Sequence, residues 1–239
     1  MSILSGVNSD YSNQTLEITN SIEAFVPTSI YGLNAWYDAS TLDNFIISTS
    51  ITQWNDNSGN NNNATNLDNL NPSYDSVNKG VNFTGGKYLY LPYCTIPFGD
   101  DNYHIFIVLT PSNSTSQPQA ILSSFDQIPP GNNMTNSFFT YNNQYIQSWN
   151  NGSDLNSSVY DIGMKQIVSF EYISGVNRTT YINGVSSGTD VPAPRNSSKT
   201  YNMMGGLYGN NTFTNLIHEI LIYKNTLSET QRIDVEKYL

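Results

Sequence analysis

Gln166-Ile-Val-Ser-Phe-Glu-Tyr-Ile173 and Thr179-Thr-Tyr-Ile182, the second running into Asn183-Gly184-Val185, place this chain among the all-β proteins. Val, Ile, Tyr, Phe and Thr fit a pleated, half-buried surface. An Asn-Gly pair accepts positive φ at both central positions of a two-residue turn and is the strongest short-range hairpin signal. Tyr141-Asn142-Asn143-Gln144 offers a second turn of the same kind.

Outward from these hairpins, short alternating or apolar runs recur between clusters of Asn, Gly, Ser and Pro. The expected strands are Leu33–Asp38, Ile51–Asn55, Gly80–Phe83, Tyr88–Leu91, Tyr103–Thr110, Ala120–Phe125, Phe138–Tyr141, Gln144–Trp149, Gln166–Ile173, Thr179–Ile182, Tyr201–Gly205 and Ile217–Tyr223. Only the last dozen residues read as helix. Ser228-Glu-Thr-Gln231 has the form of a capping box, and Val235, Tyr238 and Leu239 share one face. About a dozen strands with one short helix predict two stacked antiparallel sheets, a jelly-roll β-sandwich with a C-terminal helix. Residues 29–239 form that domain in this reading. Residues 1–28, polar and interrupted by Pro27, read as an N-terminal arm or added edge strand.

Charge narrows the partners. Nine Lys and Arg against 19 Asp and Glu leave a net charge of −10, and the cations are scattered. Nucleic-acid binding needs clustered positive charge, so no nucleic-acid partner is expected, and anionic lipid is disfavoured likewise. Met1-Ser-Ile-Leu-Ser-Gly6 lacks a basic segment leading into an apolar run, so no secretory signal is expected. No stretch approaches the roughly 18 apolar residues of a membrane span. Cys94 is the single cysteine, which excludes an internal disulfide. The 34 asparagines are read as codon bias of an AT-rich genome.

Leu33-Asn-Ala-Trp-Tyr-Asp-Ala-Ser40, Trp54-Asn-Asp-Asn-Ser-Gly59-Asn-Asn-Asn-Asn-Ala-Thr65, Val81-Asn-Phe83-Thr-Gly85-Gly86 with Tyr88-Leu89, and Gly205-Gly206 followed by Ile217-His-Glu-Ile-Leu-Ile-Tyr223 occur in that order. Together they resemble the concanavalin A-like/laminin G-like domains of phage, giant-virus and bacterial surface proteins. The resemblance covers about residues 30–239 and implies the same sandwich. Physics gives the motifs structural work: Trp36 and Trp54 as core groups, Gly59 at positive φ, Gly205-Gly206 at a close approach between sheets.

Three chemistries were weighed. The glucanases of that superfamily carry a Glu-x-Asp-x-x-Glu strand. Here Glu171 and Glu219 each stand without a second acid on the same strand, and no nucleophile or phosphate-loop motif is present. The expectation is that the chain is not an enzyme, with a divergent glycoside hydrolase as the remotest alternative. Asp56, Asn57, Ser58 and Asn60 offer hard oxygens that Ca²⁺ would accept, so Asp56, Ser58 and Asn60 are the candidate calcium ligands. An Asx-turn built on Asp56 is the structural alternative. Asp100-Asp101 reads as a solvated turn. Tyr141, Tyr145 and Trp149 recur at intervals of four and are read as one aromatic stripe, a sugar platform or half of a core. His104 and His218 fall on strands and read as structural. The leading expectation for the whole chain is a structural or surface component of a virus particle, of minor-capsid or fibre type. It would be made in a host cytoplasm and docked on other assembly proteins through residues 1–28. The alternative is a carbohydrate-binding module for a cell-surface glycan.

Overall fold

The computed structural model describes residues 24–44, 50–98, 100–125, 136–149, 153–192, 201–206 and 212–239. Sixteen strands follow in chain order: β1 Leu33–Asp38, β2 Gln53–Trp54, β3 Ala64–Thr65, β4 Ser73–Asp75, β5 Gly80–Asn82, β6 Leu89–Leu91, β7 Tyr103–Pro111, β8 Gln119–Phe125, β9 Ser137–Tyr141, β10 Gln144–Trp149, β11 Ser153–Val159, β12 Gln166–Ile173, β13 Asn177–Ile182, β14 Val185–Asp190, β15 Tyr201–Met204 and β16 Asn215–Tyr223. One helix, α1 Glu229–Tyr238, closes the described chain, and short 3-10 turns occupy Pro27–Ser29 and Ala39–Asn44. No helix among the described residues is long and apolar enough to cross a membrane.

Two eight-stranded antiparallel sheets form a sandwich. The first runs β14-β13-β12-β7-β16-β5-β4, with β1 also paired to β16; the second runs β11-β10-β9-β8-β15-β6-β3-β2. Both predicted hairpin turns form. Asn142 and Asn143 sit at φ of 51° and 57°, and Asn183 and Gly184 at 48° and 77°, the two consecutive positive values a type I′ turn requires.

Alternation along the strands divides the two faces of each sheet. Ile105, Ile107, Leu109, Val168, Phe170, Tyr172, Ile220 and Ile222 of the first sheet meet Trp54, Leu89, Leu91, Phe138, Tyr145, Trp149 and Met204 of the second in the main core. The opposite face of the first sheet buries Phe106, Leu221 and Tyr223 under Ile30, Leu227 and Val235. The helix is capped as expected: Ser228 Oγ accepts from the N–H of Gln231, and the Gln231 side chain accepts from the Ser228 N–H. Because its central strands are covered on both faces, β7 is buried along almost its whole length.

Four strands lie outside the sequence reading. β3 and β4 are two and three residues long. β11, Ser-Asp-Leu-Asn-Ser-Ser-Val, and β14, Val-Ser-Ser-Gly-Thr-Asp, are polar edge strands with few buried positions. They are held by ladder bonds and by each other, Ser158 and Ser187 joining them across the sandwich edge. Polar edges of this kind resist edge-to-edge association, and their composition mimics loop.

Candidate functional site

The outer face of the second sheet carries a cluster of aromatic side chains, some of them partly exposed. In β15, Asn202 and Met204 point inward while Tyr201 and Met203 point outward. Met203 is paired with Tyr90 of β6 and Tyr201 with Phe125 of β8, so Tyr90, Tyr201, Met203 and Phe125 share one face. Phe125, Met203 and Tyr88 form its buried floor. Tyr201 lies over Phe125 at 6.1 Å in near-parallel contact and meets Tyr93 edge-on at 5.3 Å. These two tyrosines are 39% and 48% exposed, enough to offer ring surface to a ligand. Tyr88 and Tyr90 also pack edge-to-face, at 5.5 Å.

A carboxylate completes the face. Tyr88 and Tyr90 both donate their hydroxyls to Asp68 Oδ2, at 2.6 and 2.8 Å. These bonds, Tyr88's foremost, hold the exposed Asp68 carboxyl below the ordinary carboxylate range. Asn66 fixes the adjoining loop by donating to the Tyr88 carbonyl and accepting from the Asp68 N–H. Tyr88–Leu91 and Tyr201–Gly205 were legible as strands. Nothing in their sequence shows that Tyr90 and Tyr201 share a face or that Tyr93 meets Tyr201, because β6 and β15 are about 110 residues apart.

The predicted stripe of Tyr141, Tyr145 and Trp149 is not a stripe. A two-residue turn separates Tyr141 from Gln144, and across that hairpin Tyr145 pairs with Thr140. Pairing, not spacing, sets the face here, so Tyr141 points away from the other two. It packs beside Ala120, Phe139 and Ile146 on the outer face. Tyr145 and Trp149 are buried in the main core. Trp149 donates to Asn136 Oδ1 at 3.1 Å and meets Tyr172 edge-on. The buried Arg178 guanidinium lies 4.6 Å from its ring, ion-paired to Asp190 and bonded to the Gln147 and Ser153 carbonyls. A sugar reaches neither buried ring without opening the sandwich.

The loop after β2 adopts an Asx-turn. Asp56 Oδ1 accepts from the Trp36 and Ser58 N–H groups, and Oδ2 from Ser58 Oγ and the Asn62 N–H. Asn60 donates to the Leu33 and Asn34 carbonyls. Four donors already converge on the Asp56 carboxylate, so a cation here would have to displace them. Among the described residues no cluster of three or more His, Cys, Asp or Glu is placed to hold a metal ion. Asp100 accepts the Tyr172 hydroxyl at 2.7 Å.

A cleft of about 400 Å³ lies between α1 and the β13–β14 hairpin and is lined by Glu171, Tyr181, Gly184, Ser186, Leu227, Glu229 and Arg232. His104, fully buried and stacked on Phe106 at 4.3 Å, sits 3.6 Å from Glu171. Burial pushes its pKa down to about 3, so the contact is not an ion pair at neutral pH. Burial also raises the Glu171 pKa, against the Tyr181 hydroxyl that bonds it. Arg232 is engaged by Glu236 at 2.7 Å and lies over the Tyr181 ring. His218 bridges Thr110 and the Lys79 carbonyl. Glu229, brought from the helix, lines the same cleft as Glu171.

No protein-family model and no curated protein sequence matches the chain. Solved structures do. A Trypanosoma rangeli sialidase in complex with sialic acid aligns over 87% of this chain at TM-score 0.63 and 14% identity. The alignment takes in 33% of the sialidase chain, so this protein spans about a third of that relative. Domain 4 of an extracellular GH43 arabinanase from Geobacillus stearothermophilus, in complex with arabinotriose, aligns over 85% of this chain and 98% of its own, at TM-score 0.59 and 17% identity. The binding domain of Paraclostridial Mosquitocidal Protein 1 aligns over 89% of this chain and 53% of its own, at TM-score 0.64 and 12% identity.

The chain shares its β-sandwich fold with these proteins. The expectation that the chain is not an enzyme is corrected by this finding: the same sandwich is carried within sialidase chains and is one domain of an arabinanase. Missing local motifs were the wrong basis for that exclusion. Neither the partner domains of a multidomain enzyme nor acids brought together from distant elements leave a contiguous signature.

Proposed function

We propose that this sandwich is a carbohydrate-binding module that takes a glycan across the outer face of its second sheet, at Tyr90, Tyr93, Tyr201 and Asp68. The observation that carries this reading is the exposed Tyr93–Tyr201 pair on the same sheet face as Tyr90, whose hydroxyl, with that of Tyr88, orients the Asp68 carboxylate. Aromatic faces suit the CH-rich faces of sugar rings, and carboxylate oxygens accept from their hydroxyls. The arabinotriose-bound arabinanase domain has the same fold and nearly the same extent, which supports the reading. So does the resemblance of residues 30–239 to laminin G-like/concanavalin A-like domains, the finer assignment proposed here. Residues 29–239 are the module, and residues 1–28 its arm. The described end of that arm is pinned to the domain, with Phe25 packed on Tyr238 and Pro27 accepting the Tyr223 hydroxyl. Residues 1–28 were expected to dock the chain in a virus particle, and of these 1–23 lie outside the described residues.

The test is a glycan array followed by calorimetry, with arabinotriose among the first soluble probes. A selectively bound oligosaccharide should lose about tenfold or more in affinity in the Tyr93→Ala/Tyr201→Ala double variant, roughly 1.4 kcal/mol. The far-ultraviolet spectrum should be unchanged. Selective binding that the double variant leaves intact would move the site elsewhere, and no selective binding at all would end the reading.

A further inference from the structure

The charge at this face points to the class of sugar. Resting on the glycan-binding reading, we infer that the site selects neutral oligosaccharides and rejects acidic ones, sialylated or uronic, even though the same fold occurs in a sialic acid-bound sialidase. The reason is Asp68. Both tyrosine hydroxyls converge on its Oδ2, and the residue that carries this carboxylate is exposed. A carboxylate so placed can only receive hydrogen bonds. It accepts a sugar hydroxyl and repels a sugar carboxylate.

Its orientation is fixed in advance. Tyr88 and Tyr90 stand edge-to-face, Asn66 ties the loop to the Tyr88 carbonyl, and the side chain is not free to swing away from an unwanted anion. The surrounding chain adds to the effect, with a net charge of −10. Like charges placed together at a contact are a device for refusing the wrong partner, more than for tightening the right one.

The test uses matched ligands that differ only in a carboxylate: lactose-terminated chains against their sialylated counterparts, and neutral pentose or hexose oligomers against the corresponding uronates. Each is titrated into the full chain and into Asp68→Asn, at low and at physiological salt. The expected result is that the neutral member binds about tenfold or more tightly. In Asp68→Asn, which keeps an acceptor oxygen without the charge, the ratio should fall towards one. Low salt should widen the ratio for the parent protein. Equal or tighter binding of the acidic member, strengthened at low salt, would overturn the inference while leaving the module reading intact. A neutral preference that survives Asp68→Asn unchanged would overturn Asp68 as its cause. Absence of binding to every member by a folded protein would overturn the module reading itself.

Discussion

Gly205 has φ of +81°, and a Cβ built there would fall 1.9 Å from Cδ1 of the buried Phe83 ring. Backbone conformation and space both demand glycine at this point. Gly205→Ala should destabilise the protein by about 2–4 kcal/mol, the sum of a strained positive φ and an overpacked core. Urea denaturation checks it, and a loss under about 1 kcal/mol would show that Phe83 simply moves aside. The sequence made the glycine pair visible as a close approach, but Phe83, 122 positions earlier, was not visible as the group approached. Asp56 shows the same limit. The residues around it read as an Asx-turn in preference to a calcium loop, and only the placement of the Trp36 and Asn62 amides on its two oxygens shows which donors it has. Side-chain chemistry is local, whereas the partners that use it arrive through folding.

At the scale of elements, β1, β16 and α1 meet around Glu219. Its carboxylate accepts from Trp36 Nε1 at 2.8 Å, across the β1–β16 pairing that sets Asp38 opposite it. Burial, with Asp38 adding to it, raises its pKa from 4.5 to about 7, against the hydrogen bonds from Trp36 and Tyr238. The folded chain therefore keeps this proton through a pH range in which the unfolded chain has lost it. Stability from this group is full below about pH 4.5, declines as pH rises, and levels off above about pH 7. The loss should be on the order of 1–3 kcal/mol after allowance for partial exposure. Glu219→Gln should flatten that part of the profile and be more stable than the parent at pH 7.5. Equal slopes for the two proteins between pH 5 and 7 would refute it. This junction was half legible: β16 and the capped helix follow from alternation and from the Ser228 box. Which face of the sheet the helix covers does not. The polar edges β11 and β14 escaped altogether, since strands held by ladder bonds, with two buried positions in β11 and none in β14, need no hydrophobic period.

For the molecule as a whole, α1 is a lid on the outer face of the first sheet, and Leu227 and Val235 cover Phe106, Leu221 and Tyr223. A chain ending at residue 228 should expose that cluster. It should bind a hydrophobic dye, lose several kcal/mol against urea and self-associate on a sizing column. A monomeric, equally stable truncation would mean that the helix is an ornament. The helix covers the outer face of the first sheet, whereas on the outer face of the second the rings of Tyr93 and Tyr201 remain partly exposed. The sequence by itself determined the all-β class, the two I′ hairpins, the capped helix and most of the strands, because alternation, turn residues and caps are encoded within a few neighbouring positions. It also made the aromatic wealth visible without saying which rings are core. Only the tertiary structure decided that Tyr145 and Trp149 are interior, that Tyr90 and Tyr201 share an outer face, and that Glu171 and Glu229 line one cleft. A site assembled from strands β6 and β15 depends on sheet order and on which side of each pleat faces water, and neither is written in any single stretch of chain.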